Sequence, residues 1–289
     1  MILVTGAAGK TGKAVIKALA ARGASVRAFV RRPEYVSTLK TLGADEVSVG
    51  SFDDGRALEQ AVAGTQAIYH ICPNVSCDEV AYARAVIAAA QSQGVHRFVY
   101  HSVLHPQIEA MPHHWSKMRV EEMLFAAGLG VTILQPTAYM QNILAGWRSI
   151  VTEGVFRVPY PVDTRLSLVD LDDIAEAAAL VLMTNGHAGA TYELVGTDPL
   201  SQNEVAGAIG MALKRAVRAE AERVEQWDAG ARGAGVGEHE RATLAAMFRY
   251  YAAYGLIGNP NTLRWLLSRA PTDLAAFIGR MAGLSFSGE

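Results

Sequence analysis

The stretch Val4-Thr5-Gly6-Ala7-Ala8-Gly9-Lys10-Thr11-Gly12 joins a short apolar run to a helical pattern, and this junction constrains the fold more than any other segment. Met1 to Thr5 reads as a strand buried on both faces, which implies a parallel sheet. Ala14, Val15, Ala18 and Leu19 recur at helical spacing until Gly23, and Ser25 to Val30 reads as a second strand. Between them the GxxGxxG spacing has a physical use. Gly6 lets the chain turn tightly, Gly9 admits a pyrophosphate close to the backbone, and Gly12 packs helix on strand. Glycines also serve turns that bind nothing; here the strand before and the helix after favour phosphate at the helix N-terminus.

The alternation continues. Helices are predicted around Val36 to Leu42, Ala57 to Val62, Glu79 to Gln93 and His113 to Ala127. Strands are predicted at Glu46 to Val49, Ala67 to Ile71, Arg97 to Val103 and Val131 to Leu134. This pattern specifies an α/β fold, a doubly wound parallel sheet of the Rossmann type. After Pro136 the rhythm changes: Tyr139 to Val151 reads as helix, Val155 to Val162 as a proline-punctuated loop, Asp172 to Thr184 as helix and Thr191 to Val195 as strand. Beyond Gly196 only helices are predicted, one opened by a Ser201/Glu204 capping box and the last by Thr272 and Asp273, with the glycine-rich Ala229 to Gly237 as a mobile loop. The expected organisation is a dinucleotide-binding domain over 1–150 with a return segment at about 166–195. A smaller, mostly helical C-terminal lobe over 196–289, joined by about 151–165, would bind substrate. Ligands of such sheets bind at the carboxyl ends of the strands, here expected in the cleft between the lobes.

At 289 residues, 51% apolar and 19% charged, the chain is neither disordered nor fibrous. A formal charge of -2 gives no reason to expect nucleic acid or an acidic membrane as partner. Locally the balance differs. Over the first 40 residues eight basic side chains face the single acid Glu34, which suits an anionic ligand. The two cysteines, Cys72 and Cys77, have neither redox-pair nor zinc spacing, no metal site is expected, and no apolar run spans a bilayer, so a cytoplasmic protein is expected.

Where the second strand ends, an NAD-binding protein of this type carries an acid for the ribose. This chain has Arg31, followed by Arg32. A guanidinium can grip the extra phosphate of NADP through paired hydrogen bonds, so NADP is the expected cofactor, with Arg31 the first contact and Lys10 an auxiliary. The bland alternative is a solvated arginine pair.

Taken in order, VTGAAGKTG, the VRRP turn, HSVLHP, the His113 to Lys117 segment followed by VEEML, VTILQPTAYMQN, VDLDDIA and FRYYAAYGLIGNPNTL resemble the NmrA-like family of atypical short-chain dehydrogenases, over nearly the whole chain. The resemblance implies an NADP-preferring Rossmann domain and a small substrate lobe. The family includes quinone-type and ether or isoflavone reductases and also catalytically silent NADP sensors that regulate transcription factors.

Typical short-chain dehydrogenases carry Tyr-x-x-x-Lys on one helix face, the lysine binding the nicotinamide ribose and lowering the tyrosine pKa. This chain offers His113 and Lys117 at that spacing and lacks the tyrosine. Lys117 is the expected ribose holder; its alternative is a surface lysine paired with Glu121 one turn on. His113, with His114 or water, is the candidate proton source, its alternative being a polar helix start after Pro112. From topology, Ser51 and Phe52 flank the adenine, Cys72 and Pro73 pass near the ribose, and Gly6, Gly9, Lys10, Thr11 and Gly12 hold the phosphates. Ser102, at the end of the fifth strand, is expected to line the pocket. Met247, Tyr250, Tyr251 and Tyr254 form one helical stripe, ordinarily core; with Tyr139 and Trp147 it would offer an aromatic wall to a flat substrate. The expectation is an NADPH-dependent reductase acting on a small conjugated or aromatic acceptor, quinone- or enone-like. The alternatives are a non-catalytic NADP(H) sensor with a regulatory protein partner and, less favoured, a sugar-nucleotide epimerase or dehydratase; a homodimer is a further partner state left open.

Overall fold

The computed structural model describes residues 1–286. In chain order the elements are β1 (Ile2–Val4), α1 (Lys10–Ala20), β2 (Val26–Val30), α2 (Val36–Thr41), β3 (Glu46–Val49), α3 (Gly55–Val62), β4 (Ala67–His70), α4 (Glu79–Ser92), β5 (Arg97–His101), α5 (Pro112–Phe125) and β6 (Gly130–Pro136). There follow β7 (Ala138–Tyr139), α6 (Trp147–Glu153), β8 (Val155–Val158), β9 (Arg165–Leu166), β10 (Leu168–Val169), α7 (Leu171–Met183) and β11 (Thr191–Leu194). The chain closes with β12 (Leu200–Ser201), α8 (Gln202–Leu213), β13 (Arg218–Ala221), α9 (Val224–Gly233), α10 (Glu238–Tyr254), α11 (Asn261–Leu267) and α12 (Leu274–Phe286).

The central sheet has seven strands in the order β11-β6-β5-β4-β1-β2-β3, and the pairings from β6 through to β3 are parallel. Chain order reverses between β1 and β4, which puts the ligand-binding crevice of this topology at their carboxyl ends. One face of the sheet buries Leu3, Phe29, Ile68, Phe98, Tyr100 and Ile133 against Leu58 and Val62 of α3, Val86 and Ala90 of α4, and Val120 and Leu124 of α5. The buried strands are apolar without alternation because helices cover both faces of such a sheet.

The chain forms two compact units. Unit 1 comprises Met1–Glu109, His113–Pro136 and Ile174–Tyr192; unit 2 comprises Ala110–Pro112, Thr137–Asp173 and Glu193–Glu289. In unit 2, α8 packs against α12, and two buried carboxylates from the VDLDD segment tie that unit's chain together. Asp170 accepts from Gln141 at 2.7 Å and from the Arg280 guanidinium. Asp173 accepts from Arg269 at 2.6 Å and from the Thr272 amide at 2.6 Å. The capping box holds: the Ser201 hydroxyl accepts from the Glu204 amide at 3.2 Å, and Glu204 accepts from the Ser201 amide at 2.7 Å.

Four expectations for the C-terminal half are corrected. The segment read as loop begins with strand β8, which pairs in parallel with β13, so strands also occur beyond Gly196. Prolines at 159 and 161 lie past the paired residues and do not interrupt them. The stretch read as helix from Tyr139 is a short strand, then a 3-10 segment over Met140–Gly146, then α6. The glycine-rich stretch is helical through Gly233: Trp227 packs edge-on against Phe248 at 4.7 Å and Asp228 binds Arg241 at 2.9 Å, and this packing outweighs the roughly 1 kcal/mol each glycine costs a helix.

Candidate active site

The three glycines of the first turn differ in what they do. Gly6 is left-handed at φ +57°, and a Cβ added there would lie 2.5 Å from the Ile71 carbonyl at the end of β4. A Cβ on Gly12 would lie 2.5 Å from the Gly6 carbonyl, so the pair lets turn, strand end and helix close on one another. Gly9 has φ -71° and ψ 165°, open to any residue, and its Cβ would meet only the Gly6 carbonyl, at 3.3 Å. The space above Gly9 is therefore left open by the protein. Gly9 is also the N-cap of α1 and supplies no side-chain cap, and the first turn carries no acid. The positive end of that helix is directed at the same open space, which makes a cradle for an anion. Thr11 is buried beneath it, and partial burial lowers the pKa of the Lys10 ammonium.

At the end of β2, Arg31 is exposed and engages no partner among the described residues. Arg32 is engaged: its guanidinium lies 4.8 Å over the Tyr35 ring and pairs with Glu34 at 3.0 Å, while the Lys13 ammonium lies 5.5 Å from the same ring. Phe52, after β3, is anchored among Phe29, His70 and Tyr82 with centroids 5.0–5.7 Å apart. The Ser51 hydroxyl donates to Asp53 at 3.3 Å. Cys72 is buried and Pro73 exposed in the loop after β4. Burial, helped by Glu79, pushes the Cys72 thiol up, so it stays protonated and inert. In the same loop Val75 is held at φ +53°, and in the loop after β5 His105 is held at φ +54°. A left-handed β-branched residue is strained, and such strain gathers in loops with a ligand to shape.

Between these loops lies a buried polar cluster. Lys117, on α5, is 3% exposed and donates to Glu79 at 2.9 Å and to the His101 carbonyl at 3.0 Å, with its ammonium 5.1 Å from the Tyr100 ring. The alternative of a surface lysine paired with Glu121 is thereby removed. Glu121 instead accepts from the Ser102 hydroxyl and, through both oxygens, from Gln135 at 2.9 and 3.0 Å. Burial raises the pKa of the Glu121 carboxyl against the pull of those bonds. The Tyr69 hydroxyl lies 2.6 Å from His101 Nδ1, and the Thr5 hydroxyl 2.9 Å from His70 Nδ1. Burial first and the Lys117 charge second push His70 and His101 down to about 3; burial brings His114 to about 4 and takes His113 well below its usual value. At neutral pH these four imidazoles carry no charge.

Several predicted residues thus share the carboxyl side of the unit 1 sheet: the glycine turn, Arg31, Cys72, Ser102 and Lys117. His113 and Lys117 are both on α5, yet the buried face of that helix runs through His114, Lys117, Val120, Glu121 and Leu124. Tyr139, Trp147 and Tyr251 belong to unit 2. There Tyr251 is buried edge-on against Tyr160, while Tyr139 and Trp147 are half-buried. Among the described residues no cluster of His, Cys, Asp and Glu can hold a metal ion, and no helix is long and apolar enough to cross a membrane.

Motif spacing does not single out Glu79, though the sequence carries a signal for it. Glu79 stands on the stripe Glu79, Ala83, Val86, Ala90 that α4 buries, where an acid needs a partner.

The chain is similar over nearly its whole length to proteins of known activity. An NAD(P)H azoreductase from Xenophilus azovorans is 30% identical over 276 residues, 94% of this chain and 92% of that protein. Quinone oxidoreductase 2 from Escherichia coli strain K12 is 26% identical over 97% of this chain and 98% of its own length. The crystal structure of an NADPH-dependent quinone oxidoreductase from Escherichia coli complexed with NADPH matches with a TM-score of 0.85 at 26% identity, covering 97% of this chain and 99% of that one. The model of the NmrA-like family matches residues 1–278, and the chain belongs to the NmrA-like family.

Proposed function

We propose that this protein is an NADPH-dependent reductase delivering hydride to a small, flat conjugated or aromatic acceptor of quinone or related type. The observation that carries the reading is the open anion cradle over Gly9, fed by the uncapped start of α1, with the unpartnered Arg31 on the same side of the sheet. Gly9, Lys10 and Thr11 would hold a pyrophosphate, Arg31 the 2'-phosphate, Ser51 and Phe52 the adenine side, Cys72 and Pro73 the ribose side through their backbone, and Lys117 the nicotinamide ribose. When bound, NADPH supplies the hydride.

The acceptor class follows from what the site lacks. No tyrosine stands four residues before Lys117, and the imidazoles nearby are neutral, so none is a ready acid. A simple ketone needs a proton as its alkoxide forms, whereas a reduced quinone or azo group delocalises the charge it gains and tolerates protonation from water. His113 then contributes by shape and polarity at most. Tyr139 and Trp147 are the side chains we assign to the acceptor; Tyr251 is committed to packing. The azoreductase and quinone oxidoreductase relatives support this acceptor class. The missing acid also fits a second reading, an NADP(H) sensor without turnover, which binds the cofactor through the same residues.

Cofactor choice is tested at Arg31. Arg31→Asp removes a charge-assisted contact of about 1.5–3 kcal/mol and adds repulsion, so NADPH affinity, followed by fluorescence titration, should fall at least about tenfold with a much smaller change for NADH. A wild-type protein that already prefers NADH contradicts the assignment.

A further inference from the structure

We propose that Glu79 is a positioning residue: its carboxylate fixes the Lys117 ammonium so that one N–H remains for the nicotinamide-side ribose. The proposal rests on the reading of this site as an NADPH site and adds to it a residue on a different helix, 38 positions away in sequence.

A lysine is a point charge on a four-carbon stem, and holding it in one place costs rotamer entropy unless its surroundings do the holding. Here three groups on two elements locate the ammonium. Glu79 at the start of α4 supplies Oε1 at 2.9 Å, His101 at the end of β5 supplies its carbonyl at 3.0 Å, and the Tyr100 ring lies 5.1 Å from the nitrogen. Glu79 is itself fixed, because the Tyr100 hydroxyl donates to the same Oε1 at 2.8 Å. Two of the three ammonium protons are thus used within the protein, and the third finds no acceptor among the described residues. Glu79 and Lys117 are 1% and 3% exposed, so water does not share the work.

No other group can take over from Glu79. The titratable groups around Lys117 are Cys72 in the loop after β4, His70 on β4, Tyr100 and His101 on β5, and His113, His114 and Glu121 on α5. Cys72, Tyr100 and the histidines are neutral at pH 7, and Glu121 is committed to Ser102 and Gln135. The second Glu79 oxygen, Oε2, is buried without a hydrogen-bond partner. Such an arrangement is costly to desolvate, and removing one partner of a buried pair leaves an uncompensated charge. An unpaired Lys117 would lose its proton or swing out of register; either way its free N–H would no longer be presented.

The test is a double-mutant cycle on cofactor binding, with Glu79→Gln as the isosteric change, Glu79→Asp as a charge-retaining change run in parallel, and Lys117→Met. NADPH dissociation constants are measured by fluorescence titration, and melting temperatures are recorded from pH 7 to pH 10 without cofactor. If Glu79 acts through Lys117, Glu79→Gln and Lys117→Met each weaken NADPH binding by about tenfold, and the double variant binds no more weakly than Lys117→Met alone. Glu79→Asp weakens binding less, and its effect also disappears in the Lys117→Met background. Glu79→Gln should melt well below wild type at pH 7. It should recover as pH rises, because a buried unpaired lysine binds its proton less readily folded than unfolded, and stability then grows with pH toward about 10.4. Removing Lys117 as well should also restore much of the melting temperature. Tight NADPH binding by Glu79→Gln, or losses that multiply in the double variant, overturns the proposal while leaving the cofactor reading intact. Failure of the wild type to bind NADPH overturns both.

Discussion

Replacing Gly9 by valine is expected to leave the far-ultraviolet circular dichroism nearly native while NADPH affinity falls at least about a hundredfold, the equivalent of roughly 3 kcal/mol. The backbone there is extended, and the one close protein atom, the Gly6 carbonyl at 3.3 Å from a new Cβ, has to yield by only a few tenths of an ångström, so the fold is expected to survive the side chain. What the side chain fills is the space in which a pyrophosphate would approach the backbone and the start of α1. Gly12→Val provides the contrast. Its Cβ would sit 2.5 Å from a backbone carbonyl, and loss of stability should dominate. Isothermal titration of folded Gly9→Val with NADPH decides the point; retained micromolar binding would mean that the turn is only structural.

The second large effect is on acid stability. His70, His101, His113 and His114 all have folded pKa values below the unfolded value of about 6.5, so the folded state binds fewer protons than the unfolded one once the pH drops below 6.5. Stability is fully present above that pH and is lost as the pH falls toward about 3–4. Glu121 works in the opposite sense, its raised pKa letting the folded state take up a proton early. With several imidazoles lowered against one carboxyl raised, the balance is a net uptake of protons on unfolding, and stability should fall as the pH drops below about 6.5. Urea midpoints measured from pH 7.5 to 4.5 should fall accordingly, and His70→Gln should flatten the slope by about one proton. A flat stability between pH 7 and 5 would show that the imidazoles protonate in place, and would restore them as candidate acids.

The sheet was legible because its signals are local. Apolar runs closed by turn residues locate β1 and β2 within a residue or two, the helical spacing of Ala14 to Leu19 places α1 between them, and Ser201 with Glu204 marks α8 directly. Position on the sheet then predicted which loops surround the site. The C-terminal half was harder to read, since β13 is Arg-Ala-Glu-Ala, a sequence with no strand character of its own that becomes a strand by pairing with β8. Of the candidate site, motif spacing reached the exposed turn at Gly9 and the inward-facing Lys117, whose part in cofactor binding the titrations above test. Spacing did not reach a partner on another helix: near Lys117 it offered Glu121, and the only sign of Glu79 is an acid on the buried stripe of α4, which names no partner. Likewise His113 matched the motif position, but its charge state depends on burial, which spacing does not report.

The central claim is turnover of NADPH against a flat conjugated acceptor, and the direct measurement is the loss of NADPH absorbance in the presence of purified protein and a panel of quinones, enones and azo dyes, with NADH in parallel. The account predicts loss of NADPH that depends on both protein and acceptor, fastest with quinone or azo compounds and at least about tenfold slower with NADH, as expected if Arg31 contributes a charge-assisted bond. Tight NADPH binding with no acceptor-dependent loss across the whole panel would contradict it and identify the protein as a sensor of the cofactor.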